Sequence, residues 1–526
     1  MRLFSQSLTP SQTERMNRPA PKLSLKIVLP ILSVYCCISV LGLYYHELFL
    51  DEAHHFLMSR DSPSLADLYY NLRYDGHPRL WGVLLYFITH YITPDPAAMQ
   101  ALQLLLSVSA AFVFLRYGPF ALSMKILILL GYYFLFEYNL LSRNYALGIV
   151  MLFICCHLLY DAEKNLLWIG ALLLLMCNAH LFFAFASIGL FLYLVLEYAR
   201  GKKLLTRRFI FFALLFGIGL ACALIQAHTP AVDNVNMTPV RPGEWLSLKN
   251  LSFAADALVW GWLPVPQVSA GHFWNSNWLI VKNIGHVLPV VLFLFFLFFP
   301  ALFLRKKIGA VVFYYSGIGL LLLFFVVTRM TAARYFGMVY IFFLAASWMT
   351  ADLSGPVFSY PSIPGRGGLR LFFRVCLYGI LFIQAAIGIY ALEEDLRRPF
   401  SQSKNTADYL RTLEPAGRPI VVEGYTGGPV LSAYLEKKLF YLATGAEGSY
   451  CIWNKAYFPI PQLSLDQELA RAPGIGRFGK FILVSNRKIG ADSIRSAGGS
   501  FRLTALKYFE NSIVGENYYV YQADPF

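Results

Sequence analysis

Two short clusters of acids and imidazoles stand early in the chain, Leu50-Asp51-Glu52-Ala53-His54-His55 and Tyr74-Asp75-Gly76-His77-Pro78. The first follows an apolar run from Ile27 to Tyr45, where a membrane helix would emerge. Acids gathered just outside such a helix point to a reaction centre at the bilayer surface, with a solvated helix end as the plain alternative. Asp51 and Glu52 are adjacent, so on a helix they diverge by about 100° and cannot work as a dyad. One would do chemistry while the other orients it or binds a partner. A carboxylate beside apolar helix ends can serve as a general base near neutral pH, and Asp51 is the first candidate. Asp51, Glu52, His54, His55, Asp75 and His77 could also supply the three or four ligands of a divalent metal, which the spacing permits without requiring. Interfacial packing or headgroup contact is the other reading of His54 and His55. Asp75 to Leu80 reads as a turn into a helix, with Pro78 at its first position and Asp75 or His77 either capping it or holding substrate.

Cations come next. Arg143, Arg329 and Arg334 flank apolar runs, and an Arg there can grip a phosphate through two parallel hydrogen bonds or form a structural ion pair with Asp51, Glu52 or Asp75. Ser142-Arg143-Asn144-Tyr145 and Ala333-Arg334-Tyr335-Phe336 place a tyrosine near each of two arginines. His180 lies in an apolar run, where a buried hydrogen-bonded role competes with ligand contact.

The elements that position these residues are membrane helices. Of 526 residues, 57% are hydrophobic and 14% charged, well below the roughly 25% of a soluble domain. The net charge of +14 fits basic loops beside anionic lipid and gives no reason to invoke nucleic acid. The eight cysteines form no CxxC pair, so neither a disulfide framework nor a zinc ribbon is indicated. The first apolar run lacks a small-residue cleavage site and reads as a retained span. At about 20 residues each, spans are expected near 27–46, 97–115, 121–138, 144–160, 166–179, 181–198, 209–226, 278–304, 308–328, 335–351 and 371–392, about eleven in all. The stretch 166–198 could also be one long bent helix.

Arg2, Arg15, Arg18, Lys22 and Lys26 place residues 1–26 in the cytoplasm. The basic clusters around Arg200, Arg207, Arg305 and Arg366 then fall on the same side. This parity requires 47–96 to be one external loop, with Leu80–Tyr91 lying in the interface and Ser64–Leu72 as a second interfacial helix. The acids, Arg143, Tyr145, His180, Arg329, Arg334 and Tyr335 converge on the opposite face, with the external loop 227–277. After Glu393 the sequence turns soluble. Strands at Pro419–Glu423, Lys480–Val484 and Tyr518–Gln522 and a helix at Pro429–Leu435 predict a small external α/β domain over 393–526. The expected fold is thus an all-α polytopic membrane protein, 27–392, plus that domain. The glycine-rich stretch after Glu423 lacks a Lys-Ser/Thr ending and reads as a structural turn. Asn236 and Asn250 match glycosylation sequons, a pattern common by chance.

The ordered set of Leu50-Asp51-Glu52-Ala53, Tyr74-Asp75-Gly76-His77-Pro78, Ser142-Arg143-Asn144-Tyr145 and Ala333-Arg334-Tyr335-Phe336 resembles the GT-C membrane glycosyltransferases. The nearest branch is the bacterial one similar to protein O-mannosyltransferases and lipid A aminoarabinose transferases, whose first external loop carries Asp-Glu and then a His-Pro-Pro-like motif. Arg79 departs from that pattern, standing where a second Pro is frequent, and adds a possible phosphate contact. The resemblance covers about residues 27–392. It implies a polyprenyl-phosphate sugar donor, inverting transfer to a glycan, lipid or protein hydroxyl outside a bacterial inner membrane, and an external-loop Asp as base. On this reading Asp51 and Glu52 are catalytic. Asp75, His77, Arg79, Arg143, Tyr145, His180, Arg329, Arg334 and Tyr335 bind substrate. No cofactor is required, although a divalent metal is compatible. A flippase for a lipid-linked saccharide is the alternative; it predicts mid-span charges and repeated halves. Loop 227–277 and the C-terminal domain are expected to select the acceptor.

Overall fold

The computed structural model describes residues 22–230, 232–235, 240–268, 273–280, 287–350, 367–413, 417–424, 427–458, 464–472, 474–489, 494–496 and 499–525. The basic residues Arg2, Arg15, Arg18 and Arg366 and the Asn236 sequon lie outside them. Among the described residues, seven helices are long and apolar enough to cross a membrane: Leu25–Tyr45, Ala97–Tyr117, Tyr145–Ala179, Leu181–Arg200, Arg207–Ala227, Ile308–Thr328 and Leu371–Arg397. Leu80–Tyr91, Leu288–Leu304 and Ala333–Met349 are shorter apolar helices. The chain is a polytopic helical membrane protein with a small C-terminal α/β region.

The expected count of eleven divides differently. The run 121–138 breaks at Gly131 into helix Leu122–Leu130 and a π turn, Tyr133–Glu137. Two sets of contacts lie at the break. Gly388 of the last span lies where a Cβ would meet the Leu130 carbonyl oxygen at 2.2 Å, and Glu137 must reach buried partners. The run 335–351 divides into Ala333–Phe336 and Met338–Met349, and the latter, at about 1.5 Å per residue, is far shorter than a bilayer core. The stretch 166–198 is two helices separated by His180 in extended conformation. Within 227–277, expected as loop alone, Leu248–Trp262 is a helix.

Helix ends sort by chemistry. Leu25–Tyr45, Ala162–Ala179 and Ile308–Thr328 run toward the acidic clusters, while Leu181–Arg200 runs away from them and ends at Arg200. At the basic end, Leu23 donates its amide to the Arg116 carbonyl at 3.0 Å.

Between the first two spans, residues 47–96 form three helices, Leu50–Asp61, Leu65–Asn71 and Leu80–Tyr91. Leu80–Tyr91 is not simply laid on an interface. Trp81 and Leu85 are fully buried with Ala53, Phe56 and Leu57 of Leu50–Asp61 and with Val430 and Ala433 of the C-terminal helix Gly428–Leu435. Each large side chain buried there contributes roughly 1.5–3 kcal/mol, so three elements fix the rotation of Leu50–Asp61. With 53, 56 and 57 turned inward, Asp51, His54 and His55 share a neighbouring stripe at i, i+3 and i+4.

The C-terminal region is a seven-stranded sheet in the order β3-β2-β1-β4-β7-β6-β5. The strands are β1 Ile420–Glu423, β2 Leu439–Tyr441, β3 Ala446–Gly448, β4 Phe481–Ser485, β5 Ile494–Ser496, β6 Gly499–Phe509 and β7 Tyr518–Pro525. β1 pairs in parallel with β2 and β4, and the other pairings are antiparallel. The expected β1, β4, β7 and helix after β1 are present. At the start of that helix, Gly428 lies where a Cβ would meet the Tyr441 ring at 2.3 Å, so packing requires glycine there.

Gly388→Val would drive a branched side chain into backbone that cannot yield. We expect a loss of about 2 kcal/mol or more, read as a lowered unfolding midpoint in detergent; an unchanged midpoint would contradict this packing.

Candidate active site

Helix Leu50–Asp61 begins without a side-chain cap at Phe49, so its first amides are satisfied from elsewhere. Glu52 accepts from the Phe49 amide at 3.3 Å and the Ser142 amide at 2.5 Å, and its Oε2 lies 3.3 Å from His46 Nε2. His46 Nδ1 in turn meets Asp395 Oδ2 at 2.8 Å. This Glu52–His46–Asp395 chain is wholly buried and ties the exits of the first and last spans to the helix start. Asp51 differs. Its side chain remains 27% exposed, whereas that of Glu52 is 0% exposed, so of the two only Asp51 is open to the surface.

Asp51 Oδ2 accepts from Arg334 Nη2 at 2.5 Å, and Arg143 Nη1 donates to the Asp51 carbonyl. Burial pushes the Asp51 carboxyl up. Arg334, Arg143 and the two histidines outweigh it and hold it below the usual carboxylate range. The Arg334 guanidinium lies 5.4 Å from the Trp274 ring centre and 4.9 Å from that of Tyr335, and its Nε and Nη1 are buried without partners.

His54 and His55 are buried against Asp75, not spread on an interface. His54 Nε2 is 3.2 Å from Asp75 Oδ1, and His55 Nε2 is 3.7 Å from Oδ2. Trp453 Nε1 also points at His54 Nε2, at 3.1 Å. One nitrogen cannot donate to Asp75 and accept from Trp453, and the buried carboxylate has the stronger claim on the proton. Burial favours neutral His54, but the Asp75 pairing overrides it and raises the group to about 10. His55, lowered to about 3 by burial and Arg143, and His77, lowered to about 4 by the same causes, are neutral at pH 7. Neither Asp75 nor His77 caps Leu80–Tyr91. Its N-cap is Arg79, without a side-chain cap bond, and Pro78 precedes the first turn.

His77 stacks on His180 at 4.9 Å, and His180 lies 4.8 Å from Tyr145. His180 Nδ1 caps Leu181–Arg200 through the Phe182 amide at 3.1 Å. Tyr335 packs its ring on Phe182 at 5.6 Å. A narrow recess lined by His55, Asp75, His77 and Arg79 opens beside them. Arg79 sits at its rim, with its guanidinium 5.0 Å from the Tyr69 ring centre. Arg329 does not join the site. It adopts φ 53°, donates to Asn250 Oδ1 at 2.7 Å and lies 3.6 Å from Glu244. Asn250 is itself buried and engaged. Among the described residues, no three His, Cys, Asp or Glu side chains are grouped to hold a metal ion.

Sequence reasoning missed several members. His46 stood directly at a span exit, and Glu137, with its Oε2 taking hydrogen bonds from Tyr132 at 2.6 Å and Trp274 at 3.1 Å, was a lone acid in an apolar run; both carried a readable signal. Asp395, Trp453 and Glu516 did not. Glu516 accepts from the Leu50 amide at 2.8 Å and from Ser401 Oγ at 2.8 Å. Tyr434 Oη accepts from the Leu48 amide at 2.8 Å, and Ser403 Oγ donates to the Leu48 carbonyl at 3.1 Å. The segment entering the acidic helix is therefore held by the C-terminal region.

No protein-family model matches the sequence, and no curated protein matches it. Among solved structures, the cryo-EM structure of the arabinofuranosyltransferase AftD from Mycobacteria is similar to this chain, with 13% identity and a TM-score of 0.40 over 97% of this chain. The chain spans 40% of that protein's length.

Burial raises Glu516 to about 8 despite its hydrogen bonds. A carboxyl raised in the folded state contributes stability below its unfolded value and loses it as pH climbs through about 8. Glu516→Gln keeps an acceptor for Leu50 without the titration. The variant is expected to hold its melting temperature across about pH 5–8, between the unfolded and folded values, while the wild type declines; parallel curves would remove Glu516 from the clamp's pH response.

Proposed function

We propose that this protein is an inverting glycosyltransferase of the GT-C type. It moves a sugar from a polyprenyl-phosphate carrier to a hydroxyl of a glycan, lipid or protein at the extracytoplasmic face of a bacterial inner membrane. The observation that carries this reading is the exposed Asp51 carboxylate clasped by Arg334, with Arg143 on its backbone, at the common end of the membrane helices. One base and one anion-binding pair are what an inverting transfer from a phosphate-linked sugar requires.

Asp51 takes the proton of the acceptor hydroxyl as its oxygen bonds to the sugar's anomeric carbon. The bond from that carbon to the phosphate oxygen breaks on the opposite side. Polyprenyl phosphate departs with the electron pair, its charge held by Arg143 and Arg334. Arg334 has N–H groups to spare, so a lipid phosphate can draw it from Asp51. The carboxylate then loses its cation and becomes a stronger base as the donor binds. Glu52 positions Asp51 through the helix start, and Asp75 with His54 holds the floor of the site. Residues 1–26 lie in the cytoplasm, 27–392 form the catalytic membrane part, and 393–526 form an external domain. The acceptor is selected where residues 233–235 meet 453–455, which pair as a short bridge beside His54.

Two measurements test the base and its cation. Asp51→Asn should lower transfer from a radiolabelled polyprenyl-phosphate sugar by about 10²–10⁴-fold with donor binding retained; full activity would discard Asp51 as the base. Removing the Arg334 charge destabilises the carboxylate and raises its pKa. In Arg334→Gln, the acid limb of kcat/KM should accordingly move up by about one unit or more. A limb that stays in place would separate Arg334 from the base.

A further inference from the structure

The end of the helices opposite Asp51 carries cations that the acidic site does not use. Leu23, just before the first span, donates its amide to the Arg116 carbonyl at 3.0 Å, and Arg116 Nη1 donates back to the Leu23 carbonyl. This reciprocal clasp joins the start of Leu25–Tyr45 to the end of Ala97–Tyr117 and sets Lys22 beside Arg116. Both cations meet one ring: Lys22 Nζ lies 5.5 Å and Arg116 Cζ 6.0 Å from the centre of Tyr117. That ring is stacked on His157 at 4.1 Å, which fixes its place. Lys125, on the neighbouring helix Leu122–Leu130, is buried and donates to the Leu115 carbonyl at 2.6 Å. Arg200 and Lys203, at the same end, are paired with Glu197 and Glu163. Among the described residues, no carboxylate pairs with Lys22, Arg116 or Lys125.

A buried ammonium held by one carbonyl is only partly compensated, because a helix C-terminus offers about half a charge. Arg116 uses a single N–H in the clasp and keeps the rest of its fork for an anion. Beside these cations the helix surface is apolar and exposed, with Leu25 and Leu29 one turn apart on the first span. A ligand that suits both features has an anionic head and apolar tails. We propose that Lys22, Arg116 and Lys125 form a headgroup site for one anionic phospholipid of the leaflet at that end. Its phosphodiester lies between Lys22 and the Arg116 fork, its acyl chains run along Leu25 and Leu29, and Lys125 adds positive potential from behind. A zwitterionic headgroup is disfavoured, because it brings its own cation against the same groups. The first span, with 21 residues at about 1.5 Å each, separates this site from Asp51 by about 30 Å. The inference is therefore independent of the donor reading above.

The test immobilises the purified full chain in nonionic detergent and measures capture of radiolabelled phosphatidylglycerol. Competitors are unlabelled phosphatidylglycerol, phosphatidylcholine and inorganic phosphate. Phosphatidylglycerol should displace the label at a concentration about tenfold or more below phosphatidylcholine, since each cation beside a headgroup charge is worth about a factor of five. Lys22→Gln, a change at an exposed side chain, should weaken capture about fivefold, and the pair Lys22→Gln and Arg116→Gln about twentyfold. The pair Arg207→Gln and Arg208→Gln removes two exposed charges at the same end and should leave capture unchanged. Lys22→Gln alone decides the matter if loss of the clasp unfolds the double variant. Equal losses in the two double variants, or equal competition by the two phospholipids, would overturn the site in favour of a diffuse positive surface. Inorganic phosphate that competed as well as phosphatidylglycerol would overturn the lipid assignment and leave a site for free anions.

Discussion

Asp51 and Arg334 stand 283 positions apart in sequence and meet at 2.5 Å. Much else at the site exists to make that contact possible. Neither ion is stable unpaired in a largely dehydrated pocket, because the loss of hydration exceeds what a distant counter-charge returns. The pair therefore constrains both ends of the membrane part. It requires helix Leu50–Asp61 to present one stripe and the short helix Ala333–Phe336 to start just there. Arg334 needs Trp274 and Tyr335 as flanking faces. Trp274 also joins this pair to the broken run, since Glu137, at the end of the π turn, receives its indole N–H.

The same economy governs the other acids. Glu52 and Asp75 each look chemically available in sequence, yet each is consumed by a histidine and by the geometry around it. Their engagement leaves Asp51 as the acid of the cluster able to change its protonation partner. An ion pair that one ligand can open is a more useful catalytic device than a free carboxylate. In the mechanism proposed above, such a pair would keep the base quiet until an anion arrives, with the spare N–H groups of Arg334 as the exchange site.

The C-terminal sheet enters this arrangement as more than an appended module. Tyr434, Ser403 and Glu516 hold the backbone of residues 48–50, and Phe400 donates its amide to Glu47 at 2.7 Å. Val430 and Ala433 pack against the same acidic helix. A short helix with an uncapped start is a weak element in isolation. Here its start is held by groups far along the chain, so the position of Asp51 depends on residues from both parts of the molecule.

Hydropathy alone located most of the membrane helices, because about 20 successive apolar residues have few other stable fates. It also placed Asp51, Asp75, His77, Arg143, Tyr145, His180 and Arg334 at one end of them, since charge follows the helix termini. The interruptions in 121–138 and 335–351 were illegible in the linear sequence, because the contacts at them come from elsewhere in the chain, Gly388 and Trp274 at the first and the Tyr133 ring against Gly337 at the second. Alternation found β1, β4 and β7, whereas the short strands β2, β3 and β5 have too few residues for a period to show. Residue types and spacing thus determined which groups could act and on which side of the helices they stand. Tertiary structure decided which acid is exposed and which are paired, and it excluded Arg329 in favour of Asn250 and Glu244. Charge pairing and desolvation depend on distances across the fold, and linear spacing does not record them.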